Sequence, residues 1–548
     1  MNYIDVGTKQ KKNLFRLVFW LILLSTSVLV RLYHFHSAID DHHVWRQTDT
    51  AAISRNFFEE DFNILHPRID WRGNTTGEVE CEFPLYQWLV AGFYKITGNV
   101  QEEAGRGLSI ISFIVTLVLL YRLSREYFGK LSASLSVIIL SFLPMAIFFT
   151  RAFMPESMML MGTLGTLYYY KKYIELNSTR CLLMSIMFGM IAFSVKIPSL
   201  YIGIPMMAIA LDKDGFKTFK RIGNWVYAVL TLLPTAGWYL HSHNLYKKTG
   251  LTFGIWDIGH DKWGNLNIWT GAELYKTLLG RMWGSLFTST GFILLVSSIF
   301  ILFFSRKIKE KKIMLWWLFS LTIYFMLIAR GNLIHDYYQL PFILPASILV
   351  GFGLSELSTS NKSFMIFSIS FVSIYLISIN FVDEISKIRI LKYAVMVCIT
   401  FYWFAHSIKT RGVVANAVLV ICITLILMES FYQIRGFYRH NTILTEASEC
   451  VRNLIDTNKR AVIIYDRGRQ PDMFYFTHLK GWAVKTSKPV SYLENFINSG
   501  AGYVIVLIES TPLGDYMTNT ESGKFLTEHY SYTKGNGWIL YIIDKKIH

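Results

Sequence analysis

Residues 14–47 read LFRLVFWLILLSTSVLVRLYHFHSAIDDHHVWRQ, an apolar run closed by Arg31 and followed by two adjacent carboxylates, two histidines and an arginine. The run matches the roughly 17 to 25 apolar residues that cross a bilayer. No small-residue cleavage site follows it, so it reads as an uncleaved anchor rather than a signal peptide. The rest of the 548-residue chain keeps this character, with 52% hydrophobic residues, 17% charged residues and a mean hydropathy of +0.34. Soluble domains carry about 25% charged residues. The composition therefore specifies a polytopic α-helical membrane protein.

Further apolar stretches lie near 104–121, 131–149, 157–170, 182–196, 198–211, 222–241, 286–305, 313–329, 338–354, 363–381, 390–407 and 412–430, which with 14–33 predicts thirteen transmembrane helices. The net charge of +16 is explained first by basic cytoplasmic loops, so it does not call for a nucleic-acid partner. With the N-terminus in the cytoplasm, the loops bearing Arg122/Arg125/Lys130, Lys171/Lys172/Arg180, Lys213/Lys217/Lys220/Arg221 and Lys309/Lys311/Lys312 all fall inside. Two long loops, 34–103 and 242–285, and everything after about residue 431 then fall outside. The domains expected are a transmembrane domain over 1–435, including both outer loops, and an extracytoplasmic α/β domain over 436–548. The latter rests on three β-rich runs, AVIIYD (461–466), YVIVLI (503–508) and WILYII (538–543). The five cysteines are scattered and give neither a disulfide framework nor a metal site.

The loop Ile39-Asp40-Asp41-His42-His43-Val44-Trp45-Arg46-Gln47 is the most informative segment. Its acids can act as a general base or, with the histidines, bind a divalent ion; the plainer alternative is a solvated loop whose acids offset Arg31 and Arg46. Residues 48–62 and 83–98 read as interfacial helices. Glu78, Glu80 and Glu82 precede the second, where acids also suit a helix dipole. Three turns bring cations to the same predicted face: Thr150-Arg151 through Pro155-Glu156, Val195-Lys196-Ile197-Pro198, and Arg330 through His335-Asp336-Tyr337-Tyr338. Such cations suit a lipid-linked phosphate, or they snorkel or pair with Glu156 and Asp336. In the tail, Tyr465-Asp466-Arg467 and Lys480-Gly481-Trp482 fit glycan binding or plain packing.

The order of these features resembles the GT-C glycosyltransferases, in the branch that includes glycosyltransferase family 39, the protein O-mannosyltransferases and the lipid A aminoarabinose transferases. The shared layout is an acidic pair after the first span, two interfacial helices, a Glu-x-Pro at the second, an Arg…Pro-Glu turn, a Lys-x-Pro turn, a His-x-Tyr-Tyr turn and an extracytoplasmic tail. It covers residues 14–355 well and the remainder in layout only.

The resemblance implies a GT-C fold and an inverting transfer of a sugar from a polyprenyl-phosphate carrier to a hydroxyl of a glycan, lipid or protein on the extracytoplasmic side. Asp40 or Asp41 would take the acceptor's proton, Asp40 being favoured as the first acid of the pair. Arg46, Arg151, Glu156, Lys196, Arg330, His335, Tyr337 and Tyr338 are the substrate-binding candidates. A divalent metal ion is the one cofactor raised, with Glu82, His42 and His43 as ligand candidates. Phe83 stands where the family's Glu-Lys-Pro segment has lysine, which puts both metal use and donor geometry in question. The setting expected is a bacterial inner membrane, with membrane lipids as the other partners. A lipid-linked polysaccharide polymerase or ligase and a flippase-like transporter remain as alternatives.

Overall fold

A computed structural model describes residues 3–254, 262–305, 308–357, 360–378, 396, 408–466, 472–486, 488–508 and 512–546. Helices run in the order α1 (Tyr3–Arg31), α2 (Val44–Glu59), α3 (Leu85–Thr97), α4 (Glu102–Phe142), α5 (Pro144–Phe149), α6 (Glu156–Leu176), α7 (Thr179–Val195), α8 (Gly203–Asp214), α9 (Ile222–Thr249) and α10 (Leu266–Thr270). They continue with α11 (Ala272–Arg281), α12 (Ser289–Phe303), α13 (Ile308–Leu327), α14 (Ala329–Ile334), α15 (Ile343–Leu357), α16 (Asn361–Ser378) and two more at Ile408–Ile434 and Thr442–Arg452. The expected spans are largely helical where they are described, with breaks inside them at Leu143 and at Phe287–Thr288. The stretch 390–407 lies outside the described residues apart from Met396. By length and apolarity alone, three helical segments among the described residues suffice to cross a membrane, within Glu102–Phe142, Asp336–Leu357 and Gly412–Arg452. A fourth is added if Ala272–Leu286 and Ser289–Phe303, bent by 110°, count as one.

The chain divides into two compact units, the first holding residues 1–35, 107–236 and 257–436. Its helices approach closely through small residues, as apolar helices do where no hydrophobic drive separates helix from lipid. A Cβ on Gly162 of α6 would meet the Ala192 backbone nitrogen of α7 at 2.8 Å. The expected second and third spans are separated within α4 by Gly129, whose φ of 87° is non-helical and suits only glycine. Late in the chain, buried Glu429 accepts hydrogen bonds from the Ser289 hydroxyl, the Thr290 amide and the Thr290 hydroxyl, each at 2.9 Å. A carboxylate thus satisfies the free N–H end of α12 and complements its dipole.

The second unit gathers residues 36–106, 237–256 and 437–548, so the first outer loop groups with the tail. The tail's sheet runs β2-β1-β3-β5-β4, with β1 (Arg460–Tyr465), β2 (Lys480–Lys485), β3 (Ala501–Leu507), β4 (Tyr530–Gly535) and β5 (Trp538–Lys546). β1 is parallel to β2 and β3, and β5 is antiparallel to β3 and β4. Val462, Val504 and Tyr541 pack on one face, and Ile463, Ile505 and Leu540 on the other. Burial on both faces explains why these strands read as continuous apolar runs. Residues 70–73 dock on β2: the Gly73 amide donates to the Gly481 carbonyl at 2.7 Å, and the Gly481 amide to the Asp70 carbonyl at 3.1 Å.

The two helices of the first loop differ from each other. α3 keeps an apolar exposed side, Leu89, Phe93 and Ile96, opposite buried Tyr86, Val90 and Tyr94, which fits a surface helix. α2 departs from the amphipathic surface helix expected, because every residue from Arg46 to Phe57 is buried. Its polar side chains are absorbed by internal hydrogen bonds.

Candidate active site

Asp40 and Asp41 are 3% and 4% exposed, which corrects the picture of a solvated loop with loosely compensated acids. The backbone reaches this arrangement through His43, which opens α2 in the left-handed region at φ 58°. Such a conformation is uncommon for a residue with a side chain. Asp40 Oδ1 lies 2.5 Å from Nδ1 of His440. Gln47 Nε2 donates to Asp41 Oδ1 at 2.6 Å and to the His42 carbonyl at 3.0 Å. The His42 amide donates to the Phe437 carbonyl at 3.0 Å, and the two rings stack with centroids 4.1 Å apart. The segment following the Ile408–Ile434 helix therefore holds the acidic loop from both backbone and side chain.

Arg46 Nη2 donates to Glu82 Oε2 at 2.9 Å, and its guanidinium lies 5.2 Å from the Phe253 ring centre. Further along α2, Trp71 Nε1 donates to Asp49 at 2.9 Å. Burial pushes the Asp49 carboxyl up to about 8, against the opposing pull of Trp71 and Arg46 and aided by Asp472 and Asp70. Arg55 donates to Asp70 at 2.5 Å and to the Tyr475 carbonyl at 2.7 Å. Lys480 pairs with Glu60, and Trp482 stacks on Phe496, so packing accounts for these two tail residues. Asp466 follows the end of β1 in a bend, while Arg467 lies outside the described residues.

In the first unit, Glu156, Lys196, Tyr324, Tyr337 and Tyr338 line one pocket together with Pro198 and Pro341. Glu156 opens α6 immediately after Pro155, where an acid suits the helix dipole. Pro198 stops α7 and leaves Lys196 extended at φ −150°. Lys196 Nζ then lies 3.1 Å from Glu156 Oε1 and 5.3 and 5.6 Å from the Tyr337 and Tyr338 ring centres. The His335 ring stacks on Tyr337 at 5.2 Å and on Tyr338 at 6.0 Å. Tyr324 fixes this turn by donating to the Tyr338 carbonyl at 2.7 Å.

The candidates thus form two groups, one in each unit, and two arginines have other surroundings. Arg151 is fully buried and donates to the His34 carbonyl at 3.0 Å. The side chain of Arg330, half-buried on α14, makes no hydrogen bond or ion pair with any described residue. Three partners were missed in the sequence: His440 at Asp40, Gln47 at Asp41, and Arg281, which donates to the Asn332 and Leu333 carbonyls at 2.5 and 2.9 Å just before His335. Gln47 is uncharged, so nothing in the loop's sequence marks it as the partner of Asp41. His440 and Arg281 lie far along the chain from what they hold, and nothing local marks them.

Glu82 is engaged by Arg46 and belongs to no cluster of three potential ligands among the described residues. The His42 and His43 rings lie side by side with centroids 4.2 Å apart, one of them stacked on Phe437. Glu82 therefore does not join the histidines, whereas His42 and His43 bring ring nitrogens within 4.8 Å of one another, close enough to share an ion, and no chemical step below is routed through an ion.

Residues 82–241 match the family model for dolichyl-phosphate-mannose-protein mannosyltransferases. That stretch carries Glu82, Arg151, Glu156 and Lys196. No curated protein matches the chain by sequence. Among solved structures, ArnT from Cupriavidus metallidurans bound to undecaprenyl phosphate is similar with a TM-score of 0.58 and 11% identity, over 96% of this chain and 98% of that one. The archaeal oligosaccharyltransferase AglB from Archaeoglobus fulgidus, in complex with an inhibitory peptide and a dolichol-phosphate, gives 0.55 and 11% over 96% of this chain and 74% of its own. An Archaeoglobus fulgidus oligosaccharyltransferase in complex with Zn and sulfate gives 0.54 and 12%, over 95% of this chain and 73% of its own. The resemblance to GT-C membrane glycosyltransferases holds, by family match over part of the chain and by fold over nearly all of it.

Proposed function

We propose that this GT-C chain is an inverting glycosyltransferase that moves a sugar from a polyprenyl-phosphate carrier to an acceptor hydroxyl on the extracytoplasmic side of the membrane. The observation that carries the reading is the buried Lys196, held between the Glu156 carboxylate and the faces of Tyr337 and Tyr338. Aromatic faces suit the C–H surface of a sugar, and a paired ammonium and carboxylate offer both a donor and acceptors to its hydroxyls. Arg330 has its charge unspent among the described residues, which suits the phosphate that gains charge as it leaves. The buried Asp40/Asp41 pair supplies the basic function toward the acceptor. Two similar structures contain undecaprenyl phosphate and dolichol-phosphate, which supports a lipid-phosphate donor for this fold. The basic loops favour a cytoplasmic N-terminus and an extracytoplasmic tail, and a bacterial inner membrane is the setting this reading proposes.

The test is to incubate the detergent-purified full chain with a panel of radiolabelled polyprenyl-phosphate sugars and a membrane glycolipid extract, with and without a chelator. Transfer or slow hydrolysis of one donor, lost in the Asp40→Asn/Asp41→Asn double variant, is the expected result. Binding of a long lipid-linked oligosaccharide with no turnover of any monosaccharide donor would favour a ligase or polymerase instead.

A further inference from the structure

We propose that a cavity at the opposite end of α6 and α13 from the Lys196–Glu156 pair binds the zwitterionic headgroup of a phospholipid, a phosphate joined to a primary ammonium. The inference goes beyond sugar transfer and does not depend on it. α6 begins at Glu156 and carries Lys171 15 residues later, about 22 Å along the axis at a rise of about 1.5 Å per residue. α13 runs between the same two levels, with Glu310 near its start and Tyr324 near its end. The cavity measures about 420 Å³, within the roughly 300 to 1,000 Å³ usual for small-molecule sites. It lies wholly within the first unit.

Its walls carry both signs of charge, only partly spent on each other. Buried Lys171 bridges Glu126 Oε2 at 2.6 Å and Glu175 Oε1 at 2.5 Å. Lys312 Nζ lies 2.8 Å from Asp212 Oδ1. Two opposite charges of the lining remain, Glu310 and Lys213, which make no hydrogen bond or ion pair with any described residue. A carboxylate left over suits an ammonium, and an ammonium left over suits a phosphate. A zwitterion answers both, whereas a simple anion would leave Glu310 unmatched. Among the described residues, no three of these acids lie close enough together to share a metal ion. A primary ammonium fits better than a quaternary one, because only the former donates hydrogen bonds to carboxylates. Ile174, Ala208, Ile209 and Ile313 supply an apolar wall for the glycerol end.

The surroundings place the cavity at headgroup depth. α8 ends at Asp214, just past Asp212 and Lys213, and the chain continues in a 3-10 turn, Gly215–Lys220, that exposes Phe216 and Phe219 beside Lys217 and Lys220. Exposed Ile222 and Trp225 follow, with Trp225 Nε1 donating to the Phe219 carbonyl at 2.9 Å. Exposed aromatic residues beside lysines are the pattern of a membrane–water interface. Lipid at that level presents its phosphate and ammonium to the cavity, which favours a lipid over a soluble zwitterion.

The test is native mass spectrometry of the delipidated full chain in detergent, with phosphatidylethanolamine, phosphatidylcholine and phosphatidylglycerol of one acyl composition added in turn. A charged hydrogen bond shifts affinity by about tenfold or more, so phosphatidylethanolamine should bind at least about tenfold more tightly than either of the others. Glu310→Gln should bring its affinity to within about twofold of that of phosphatidylcholine, and Lys213→Met should weaken it about tenfold. Neither residue has a partner among the described residues to lose, so without lipid both variants should unfold at the wild-type temperature. Equal binding of the three lipids by wild type, or an unchanged preference in the Glu310→Gln/Lys213→Met double variant, would overturn the proposal. Glycerophosphoethanolamine, the headgroup without acyl chains, separates the two sources of this chemistry. Its binding within about twofold of the lipid would overturn the lipid assignment in favour of a soluble zwitterion. None of these readouts uses a sugar donor, so the lipid preference stands or falls whether or not the chain transfers sugar.

Discussion

Lys196 and Glu156 form a buried ion pair, 3.1 Å from Nζ to Oε1, that joins the first turn of α6 to the break after α7. Both charges are removed from water, with side chains 8% and 1% exposed, so each depends on the other and on the tyrosine faces beside them. The pair carries no net charge. It is therefore better suited to reading hydroxyl groups than to balancing a phosphate, which moves the phosphate role toward Arg330.

Lys196→Met should strand the Glu156 carboxylate and cost about 3 to 5 kcal/mol of stability. The double variant Lys196→Met/Glu156→Gln should recover most of that loss while staying unable to bind the donor sugar. Thermal unfolding in detergent checks the first statement and donor binding the second. Equal stability of the single and double variants would refute the coupling.

Arg330→Ala should behave in the opposite way. Without a partner among the described residues, its loss should change stability by no more than about 0.5 kcal/mol. A charged hydrogen bond to phosphate is worth about 1.5 to 3 kcal/mol, so polyprenyl-phosphate affinity should fall about 10- to 100-fold. Equilibrium binding of polyprenyl phosphate alone checks this.

Asp40→Asn should abolish transfer and leave donor-lipid binding nearly intact, since the carboxylate faces His440. Asp41→Asn should be milder, because its Oδ1 is already occupied by Gln47 and an amide oxygen can still accept that bond. Single-turnover transfer separates the two. A dead Asp41→Asn beside an active Asp40→Asn would exchange their roles.

The pH dependence of stability should carry the mark of Asp49. Its folded value of about 8 lies above the ordinary 3.8, so the native state holds a proton that the unfolded chain has released. The stabilisation is complete at acid pH and is lost as pH rises from about 4 through about 8. Asp49→Asn should flatten the fall in unfolding temperature over that window, most clearly between pH 6 and roughly pH 8. An unchanged profile would show that Asp49 is already ionised in the native state.

The sequence by itself determined whatever follows from local pattern. Apolar runs of membrane length marked the helices, and AVIIYD, YVIVLI and WILYII marked β1, β3 and β5, because strands buried on both faces must be continuously apolar. The order of acids, prolines and cations was enough to place the chain near the GT-C enzymes. β2 and β4 escaped, since KGWAVK and YSYTKG are partly exposed and lack that signature. α2 was misjudged for a related reason: a helix buried all round by polar contacts shows no apolar face to read. Tertiary structure alone decided the partners. Asp40 meets a histidine 400 positions away, Lys196 meets Glu156 at the far end of the α6–α7 pair, Glu82 is taken by Arg46, and the Arg330 side chain pairs with none of the described residues. Burial makes a charge dependent on its partner, and which partner arrives is set by packing between distant segments, which no local periodicity encodes.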